Sequence, residues 1–480
     1  MLKVKQFGKT KHKNPLIFKW VWVNTLKLSN RPKKTGRLEK ILFMNMKKII
    51  TVFLTFIMIF CSAVGCNGQS QPPQGDGLQT LTLAVENGTL NVDGGKDVSQ
   101  YKVYTSGTLL VTITENSVDL ARAIIDNRPI AFGKWKISVE GFNNSNELIA
   151  TSRKTLEFNI VELNQQTFYS TLKGEYKSTD YFLMSEDIYL YGKGPSNDGS
   201  VNDYATITFA SDDRVPETNG VRNAMFFVSK PFTATLDGDG YSLNVMVDQH
   251  INWSGSQLPF VYGGIFGTVE SGAVIKNMQV FSDCTYEVKS RMYASASFVY
   301  TLKGRLENIF VSQINKPIIR PDEKKHDIDN YLDKTDNYIA VLSHVYDGAQ
   351  VVNCVFHNDV FNVAGEMISA GGAVARSQKN VTYNSCAFIS QTGSERFFSL
   401  TTDGKFYGAS AGDFVENGSN IYFYQSLSNF LLGEGKKATG NLTWLPTFED
   451  FSGNALENFG SAWTEEDGNY YLLGKQIFIY

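Results

Sequence analysis

The stretch GIFGTVESGAVIKNMQV at residues 264–280 decides the fold, because its pattern returns three more times in the chain. A run of small and apolar residues is followed by a glycine turn and by an apolar run that contains an asparagine. These asparagines are 31, 45 and 31 residues apart: Asn277, Asn308, Asn353 and Asn384. One unit cannot bury its apolar face alone, whereas stacked units can. The repeats therefore predict a parallel β-helix over residues 165–445, in which the asparagines stack as a hydrogen-bonded ladder.

Two upstream segments fit the same architecture and carry a family resemblance. They are Asp187-Ile188-Tyr189-Leu190 and the turn Leu236-Asp237-Gly238-Asp239-Gly240. Both resemble the opening coils of bacterial surface proteins with a pectate-lyase-like right-handed β-helix, and the repeats are similar to the GLUG-type repeats of bacterial adhesins. The resemblance covers about residues 175–395, with Ala234 in place of one family glycine. It implies a right-handed solenoid, and a β-propeller or a second β-sandwich is the alternative.

Residues 78–162 predict a small antiparallel β-sandwich ahead of the solenoid, so the whole body is expected to be all-β. Six short runs alternate as strands do, and the clearest is 133–142, where Trp135, Ile137 and Val139 point inward. The pattern is similar to fibronectin type III and related immunoglobulin-like domains. We expect this module to be a spacer, with ligand binding as the alternative. The aromatic residues 446–480 are expected to cap the open end of the solenoid.

An export signal is predicted at residues 44–65. Lys47-Lys48 precedes an apolar run of 12 residues that is short for a transmembrane helix and typical of a signal-peptide core. Ala63-Val64-Gly65-Cys66 resembles the lipobox of bacterial lipoproteins, with Ala63 where that family prefers leucine. The resemblance implies cleavage before Cys66 and a lipid on its thiol, while an ordinary signal peptide or a signal anchor is the alternative. Residues 66–77 are rich in Gln, Pro, Ser and Gly and predict a flexible tether.

Charge separates the start of the chain from the rest. Residues 1–65 contain 14 basic residues and one acidic residue, so the remainder holds 31 basic and 47 acidic residues and a net charge of −16. A body this acidic argues against nucleic-acid binding. Residues 1–43 form a basic leader, and either translation starts at Met44 or Met46 or the leader is unusually long. Three cysteines in the body argue against a disulfide framework.

Few residues of the body form a recognisable chemical motif. Asp237 and Asp239 are the closest acidic pair, but glycine turns favour Asp for backbone reasons alone. An insertion at residues 315–337 is dense in charge and is our first candidate for a recognition loop. Its carboxylates are also candidate calcium ligands, although their spacing departs from an EF-hand loop: Asp327, Asp329 and Asp333. The five histidines lack zinc-ligand spacing, and neither a catalytic residue nor a metal site is predicted.

Taken together, these patterns predict a noncatalytic cell-surface lipoprotein that presents a β-helix for adhesion or for binding a glycan or a surface protein. We expect a monomer that is held at the cell surface or outer membrane by its lipid and needs no cofactor, with calcium as the one candidate. Many β-helices act on polysaccharides, so the alternative is an extracellular lyase or glycoside hydrolase with an active site spread over several coils. A structural component of the cell envelope is a third hypothesis.

Replacing Cys66 with alanine (Cys66→Ala) is expected to abolish lipid attachment, because the thioether forms on that sulfur. The variant should leave the membrane pellet or accumulate unprocessed, and it should no longer incorporate a labelled fatty acid during growth. The matched control is Cys61→Ala, which changes a cysteine inside the signal and should leave labelling intact. Equal labelling and equal membrane retention of both variants would contradict the lipoprotein assignment.

Overall fold

In a computed structural model of the protein, the described residues are 77–193, 200, 203–209, 214–215, 224–249, 261–289, 295–320, 339–360, 371–378, 380–390, 396–401, 418–425, 442–445 and 456–477. Strands in large mixed and parallel sheets dominate this part of the chain, together with two short α-helices.

The N-terminal elements are β1 (Gln79–Glu86), β2 (Thr89–Asp93), β3 (Gln100–Thr105), β4 (Thr108–Ile113), β5 (Ser117–Asp119), α1 (Leu120–Asn127), β6 (Gly133–Phe142), β7 (Leu148–Ser152), β8 (Leu156–Leu163) and α2 (Phe168–Lys173). The middle strands, which we call the parallel stack, are β9 (Tyr181–Met184), β10 (Ile188–Lys193), β11 (Ala205–Thr208), β12 (Arg214–Val215), β13 (Ala224–Val228), β14 (Thr235–Asp237), β15 (Ser242–Gln249), β16 (Val261–Val269), β17 (Val274–Lys289), β18 (Ser295–Leu302), β19 (Arg305–Arg320), β20 (Ile339–Val345), β21 (Gln350–Val360), β22 (Gly371–Ser377), β23 (Thr382–Ser390), β24 (Arg396–Thr401), β25 (Gly418–Gln425) and β26 (Leu442–Leu445). The C-terminal elements are a 3-10 helix (Leu456–Phe459), β27 (Trp463–Glu466), β28 (Asn469–Leu472) and β29 (Lys475–Ile477).

The N-terminal strands form two sheets that share β1. Strands β1, β2 and β5 pair antiparallel, while β6 pairs antiparallel with β3, β7 and β8, and β3 pairs with β4. The six predicted strands are present, and β2, β5 and α1 are additional. The pairing of β1 with β7 is parallel, which corrects the expectation of a purely antiparallel domain. Ile137 and Val139 are buried as predicted, whereas Trp135 is only partly buried and its Nε1 donates to the carbonyl oxygen of Ala131 at 2.7 Å.

Helix α1 begins at a side-chain cap and covers the N-terminal core. The carboxylate of Asp119 accepts a hydrogen bond from the backbone N–H of Arg122 at 2.8 Å, which satisfies one of the first free donors of the helix. Leu120, Ala121 and Ile124 lie on one face and are fully buried. The helix therefore forms because its apolar face meets the core and its start is capped.

Two parallel sheets make up the parallel stack. One runs from β9 through β14, β17, β19, β21, β23, β25 and β26, with β10 and β15 beside the second half of β17. The other runs through β13, β16, β18, β20, β22 and β24, with β12 antiparallel at its edge. Each of the four sequence repeats supplies one strand to each sheet. The predicted strand–turn–strand units are therefore confirmed.

The apolar side chains of successive repeats stack in register and form one core. Ile275, Leu306 and Val351 are paired partners on neighbouring strands, and all three are fully buried. From the other sheet, the rings of Phe266 and Phe298 meet edge to face with centroids 5.9 Å apart, within the same buried cluster. Burying each of these side chains contributes about 1.5–3 kcal/mol. Stability therefore accumulates repeat by repeat.

A continuous sheet joins the N-terminal domain to the parallel stack. Strand β8 pairs in parallel with β9, which in turn pairs with β14. Strand β9 faces two cores, because Tyr181 and Leu183 pack into the N-terminal core while Phe182 and Met184 pack into the core of the stack. Strand β8 thereby covers an edge that would otherwise be open to pairing with another chain. The module predicted as a spacer is thus built into the stack.

The C-terminal strands β27, β28 and β29 form a small antiparallel sheet on the outward face of the parallel stack. Trp463 packs with Phe310, an outward-facing residue of β19. The Nε2 of Gln279 donates to the carbonyl oxygen of Gln476 at 3.4 Å. We expected these residues to cap the open end of the solenoid. The described part of this segment, residues 456–477, instead covers the side of the stack, where apolar side chains would otherwise be exposed.

Because β9 belongs to both cores, the N-terminal domain and the stack are expected to unfold together. The neighbouring variants Leu183→Ala and Met184→Ala each remove buried side-chain volume, one from each core, and each should lower the free energy of unfolding by about 2–5 kcal/mol. In urea titrations, fluorescence and far-UV circular dichroism should report one transition that shifts equally in both probes. Two separated transitions, each moved by only one of the variants, would contradict this coupling.

Candidate functional site

Three of the predicted ladder residues form a hydrogen-bonded chain across neighbouring strands. The Nδ2 of Asn353 donates to the Oδ1 of Asn308 at 3.1 Å, and the Nδ2 of Asn308 donates to the Oδ1 of Asn277 at 2.9 Å. The Nδ2 of Asn277 then donates to the Oδ1 of Asp237 at 3.0 Å. All the amides donate in one direction along the stack. The chain ends at the carboxylate of Asp237, whose oxygens accept hydrogen bonds.

The same asparagines bend their strands. Their φ angles are 56°, 53° and 54°, in the left-handed region that Asn adopts more readily than most residues with a side chain. The fourth repeat differs from the prediction, because Asn384 pairs with Val352 and Cys386 pairs with Cys354. Ser385, with a φ of 53°, therefore occupies the ladder position one residue after the predicted asparagine. Its Oγ donates to the Oδ1 of Asn384 at 3.3 Å.

Asp237 anchors the chain of amides where the stack meets the N-terminal domain. The residue is 5% exposed, and its carboxylate accepts hydrogen bonds from the Tyr181 hydroxyl and, at 2.9 Å, from the backbone N–H of Asp239. The Nζ of Lys276 lies 3.8 Å from its Oδ2 and 5.4 Å from the centre of the Tyr181 ring. Burial, and next the charge of Asp237, raise the pKa of Tyr181 well above its usual value, so this hydroxyl remains a donor.

Asp239 connects the same turn to helix α1. Its Oδ1 lies 2.7 Å from the Nη1 of Arg122. The Nη2 of the same guanidinium group lies 2.7 Å from the Oδ1 of Asp126. Burial, and next the neighbouring Asp237, raise the pKa of Asp239, while Arg122 opposes that rise. Both carboxylates of the pair weighed above for catalysis are therefore engaged by groups of the protein itself. The arrangement favours a structural role for Asp237 and Asp239.

A groove of about 660 Å³ lies on the outward face of the parallel stack, beside the C-terminal sheet. Strands β10, β15, β17, β19 and β21 contribute its floor, and β29 contributes one wall. Four aromatic rings line it: Tyr189, Tyr204, Tyr241 and Phe281. Its volume lies within the range typical of small-molecule pockets, and its lining residues lie on or beside strands of the stack.

The parallel register aligns one floor residue from each strand in a single row: Tyr189, Asn244, Phe281, Ser312 and His357. Neighbouring strands are about 4.7–4.9 Å apart, so the row advances by that distance at each step. The first three side chains are partly exposed, whereas Ser312 and His357 are buried and their Oγ and Nδ1 atoms lie 3.0 Å apart. The accessible floor therefore extends from β10 to the edge of β19.

The walls of the groove hold their aromatic rings in fixed positions. The rings of Tyr189 and Tyr204 pack edge to face with centroids 5.3 Å apart. The Nζ of Lys475 lies 3.3 Å from the centre of the Tyr241 ring, which is a cation–π contact between the C-terminal sheet and the stack. Burial, and next the neighbouring Tyr189 and Asp283, raise the pKa of Tyr204. The ring contacts hold these wall side chains in place.

Two carboxylates and one ammonium group line the groove, together with the imidazole of His357. Asp187 is held by Ser242, whose backbone N–H and hydroxyl donate to the Oδ1 at 2.8 Å and 2.9 Å. Asp283 follows Phe281 on the outward face of β17, and the ammonium belongs to Lys475. The sequence motifs did not single out Asp283 or Lys475, and Asp187 was noted only as part of a strand segment. Phe281, Ser312 and His357 each stand four positions after a ladder asparagine, and this regularity was the available signal.

Several predicted site residues lie outside the described part of the chain. They are Cys66 and the insertion carboxylates Asp327, Asp329 and Asp333. Within the described residues, His, Cys, Asp and Glu side chains nowhere gather in a group of three or more suited to a metal ion. The same part of the chain contains no helix with the length and apolarity that crossing a membrane requires.

The chain matches no model of a protein family, and a search of curated proteins found no match.

Asn308→Ala should be the most damaging single change in the ladder, because Asn308 both donates and accepts and has a left-handed backbone. We expect the free energy of unfolding to fall by about 2–4 kcal/mol. Asn308→Gly keeps the backbone freedom and should lose only the amide contribution, about 1–3 kcal/mol. Urea denaturation measures both, with Asn384→Ala as the control expected to cost less. If the ladder contributed nothing to stability, both Asn308 variants would have the same free energy of unfolding as the parent protein.

Proposed function

We propose that this protein is an exported lipoprotein whose groove binds a glycan chain without cleaving it. In this proposal the N-terminal domain is an immunoglobulin-like sandwich and the parallel stack is a right-handed parallel β-helix. Consecutive repeats that place one strand in each of two parallel sheets support the β-helix. A β-propeller or a second sandwich would be built mainly from antiparallel strands.

The groove with its four aromatic rings is the observation that carries the binding proposal. Glycans present apolar ring faces and many hydroxyl groups, so they are bound by aromatic side chains together with hydrogen-bonding groups. Tyr189, Tyr204 and Phe281 supply the first kind of contact, and Asn244 and Ser242 supply the second. All of these side chains lie on strands of the parallel stack or directly beside them. The buried core holds these strands rigidly. Little conformational entropy would be lost when a ligand binds.

Surface display is the second part of the proposal and rests on the N-terminal sequence. A lipid on Cys66, followed by residues 67–77, whose composition predicts a tether, would hold the folded body close to a membrane as a monomer. The charged insertion with Asp327, Asp329 and Asp333 would add a second contact surface that calcium can modify. Adhesion to a polysaccharide or a glycosylated surface would follow from this arrangement.

A polysaccharide-cleaving enzyme is the second candidate, because Asp187 and Asp283 line the same groove. Inverting glycosidases need two carboxylates about 6.5–9.5 Å apart on either side of the scissile bond. In this groove, however, Asp187 is occupied by two hydrogen bonds from Ser242. We therefore place binding without cleavage first and measure cleavage in the same experiment.

The full mature chain should be retained by at least one immobilised polysaccharide in a panel of plant, host and bacterial glycans, with and without calcium. Tyr204→Ala removes one wall of the groove and should weaken that retention about tenfold or more, since an anchoring aromatic ring contributes about 2 kcal/mol. Tyr104→Ala, a change in the N-terminal domain far along the chain from the groove residues, is the matched control and should bind as the parent does.

Three results would change this proposal. Retention with release of new reducing ends or unsaturated products would favour the enzyme. Retention that Tyr204→Ala leaves unchanged would move the binding site away from the groove. Deletion of residues 321–337, the part of the charged insertion that follows β19, would then be the next variant. A complete lack of retention would favour a protein partner or a structural role in the envelope.

A further inference from the structure

One end of the N-terminal domain carries both of the large apolar side chains that are exposed among the described residues. They are Leu109, near the start of β4, and Ile130, in the loop between α1 and β6, and they are 47% and 70% exposed. Arg128 connects them, because its Nη2 donates to the carbonyl oxygens of Thr108 and Leu109 at 3.0 Å and 3.2 Å, and Ile130 follows it by two residues. Single exposed apolar side chains are ordinary, so their position together is the informative feature.

Basic side chains accompany this apolar pair. The stretch RPIAFGKWK, residues 128–136, contains three basic residues and no acidic residue. Its two lysines, Lys134 and Lys136, are exposed on β6 and point to the same face of that strand. Among the described residues, the guanidinium of Arg128 donates to neutral oxygens, and Glu157 is the residue opposite Lys136 on β8. We call the following residues the basic tip: Leu109, Arg128, Ile130, Lys134 and Lys136.

Partly buried aromatic rings lie beneath the basic tip. Phe132 and Trp135 pack against the N-terminal core, and the Nε1 of Trp135 donates to the carbonyl oxygen of Ala131 at 2.7 Å. Aromatic side chains with a polar atom are typical of the boundary between lipid and water. Exposed apolar side chains, neighbouring basic groups and aromatic rings together favour contact with an anionic lipid surface.

The chain ahead of the domain is long enough for its anchor to reach the level of the basic tip. Strand β1 begins at Gln79, which pairs with Ala150, and Ala150 pairs with Gly141 of β6. Gly141 is eight residues from Gly133, so the start of β1 and the tip are separated by about 27 Å along the strands. The segment from Cys66 to Gln79 is 13 residue steps long and can extend to about 45 Å. A lipid on Cys66 and the tip can therefore reach one membrane.

The charge of the remaining body gives such a contact a direction. Residues 66–480 carry a net charge of −16, so the body as a whole is repelled by anionic headgroups. The basic tip is attracted by the same headgroups. Attraction at one end and repulsion elsewhere turn that end toward the membrane.

From these observations, we propose that the basic tip docks on the anionic phospholipid surface of the membrane that holds the lipid anchor. Ile130 and Leu109 lie among the headgroups, and the basic side chains lie beside the phosphates. The lipid and the tip then hold the body at two points and fix its orientation. This inference rests on the lipoprotein part of the proposed function and is independent of the groove.

Sedimentation with vesicles tests the tip in the absence of the attached lipid. The full mature chain with Cys66→Ala is mixed with vesicles of phosphatidylcholine alone, or of phosphatidylcholine and phosphatidylglycerol in equal parts. We expect the chain to pellet with the anionic vesicles and to stay in solution with the neutral ones. Binding should weaken about tenfold between low and physiological salt, because salt screens the attraction between the basic groups and the headgroups.

Two substitutions in this chain separate charge from apolar contact. Lys134→Gln should weaken binding to the anionic vesicles about fivefold, as expected for one basic residue near a charged bilayer. Ile130→Ser should weaken it about threefold or more at either salt concentration, because it removes apolar surface. The matched control is Lys96→Gln, which removes an exposed lysine at the other end of the domain, where the backbone N–H of Lys96 donates to Gln79. This control should bind vesicles as the unsubstituted chain does.

Three results would overturn the inference. They are a lack of pelleting with anionic vesicles, equal weakening by Lys134→Gln and Lys96→Gln, and retention on immobilised polyglutamate that both tip variants weaken as strongly as they weaken vesicle binding. The last result would assign the tip to an acidic protein partner.

Failure of this inference and failure of the proposed function are distinguishable. The tip variants should keep glycan retention, and Tyr204→Ala should keep vesicle binding. Unchanged fatty-acid labelling in Cys66→Ala would overturn the anchor without altering the result of the vesicle experiment.

Discussion

The one-way chain of amide hydrogen bonds from Asn353 to Asp237 is the constraint on which the rest of the structure depends. Each amide in the chain sits at a left-handed bend, so the bend and the hydrogen bond select the same residue type. The bend also decides which side chains face outward afterwards. Ile275 before it and Met278 after it both point into the core, although strict alternation would separate them. The outward positions of Phe281 and Asp283 follow from that change of phase.

The carboxylate of Asp237 gives this chain both an end and a connection. An amide at that position would bring its own N–H groups into a buried site, whereas a carboxylate accepts from Asn277, Tyr181 and the turn without needing an acceptor itself. Because Tyr181 belongs to the N-terminal core, the amide of Asn277 is connected to that domain through Asp237. The same junction covers the edge of β9. One set of contacts therefore fixes the end of the asparagine ladder and also covers the edge of strand β9.

The sequence predicted the features that repeat locally, and it missed those that depend on distant segments. The strand–turn–strand units and the first three ladder positions were readable because each repeat carries its own glycine and asparagine. The fourth ladder position was misplaced by one residue, since Ser385 tolerates the left-handed backbone without being an asparagine. The location of the C-terminal sheet was missed because Gln279 and Gln476 meet across 197 residues of sequence. No local pattern encodes such a contact.

The groove was missed for a related reason. Its floor residues follow the ladder asparagines at a constant offset, but they share no chemistry with one another, so a search for a motif passes over them. The repeats fix the backbone of the row, while the side chains on it remain free to differ: a ring on β17, a hydroxyl on β19 and an imidazole on β21. Phe281 is partly exposed, so a substitution there changes the surface of the groove without removing a side chain from the buried stack of Ile275, Leu306 and Val351. A fold stabilised by its inward side chains can therefore vary its outward surface while its backbone stays the same.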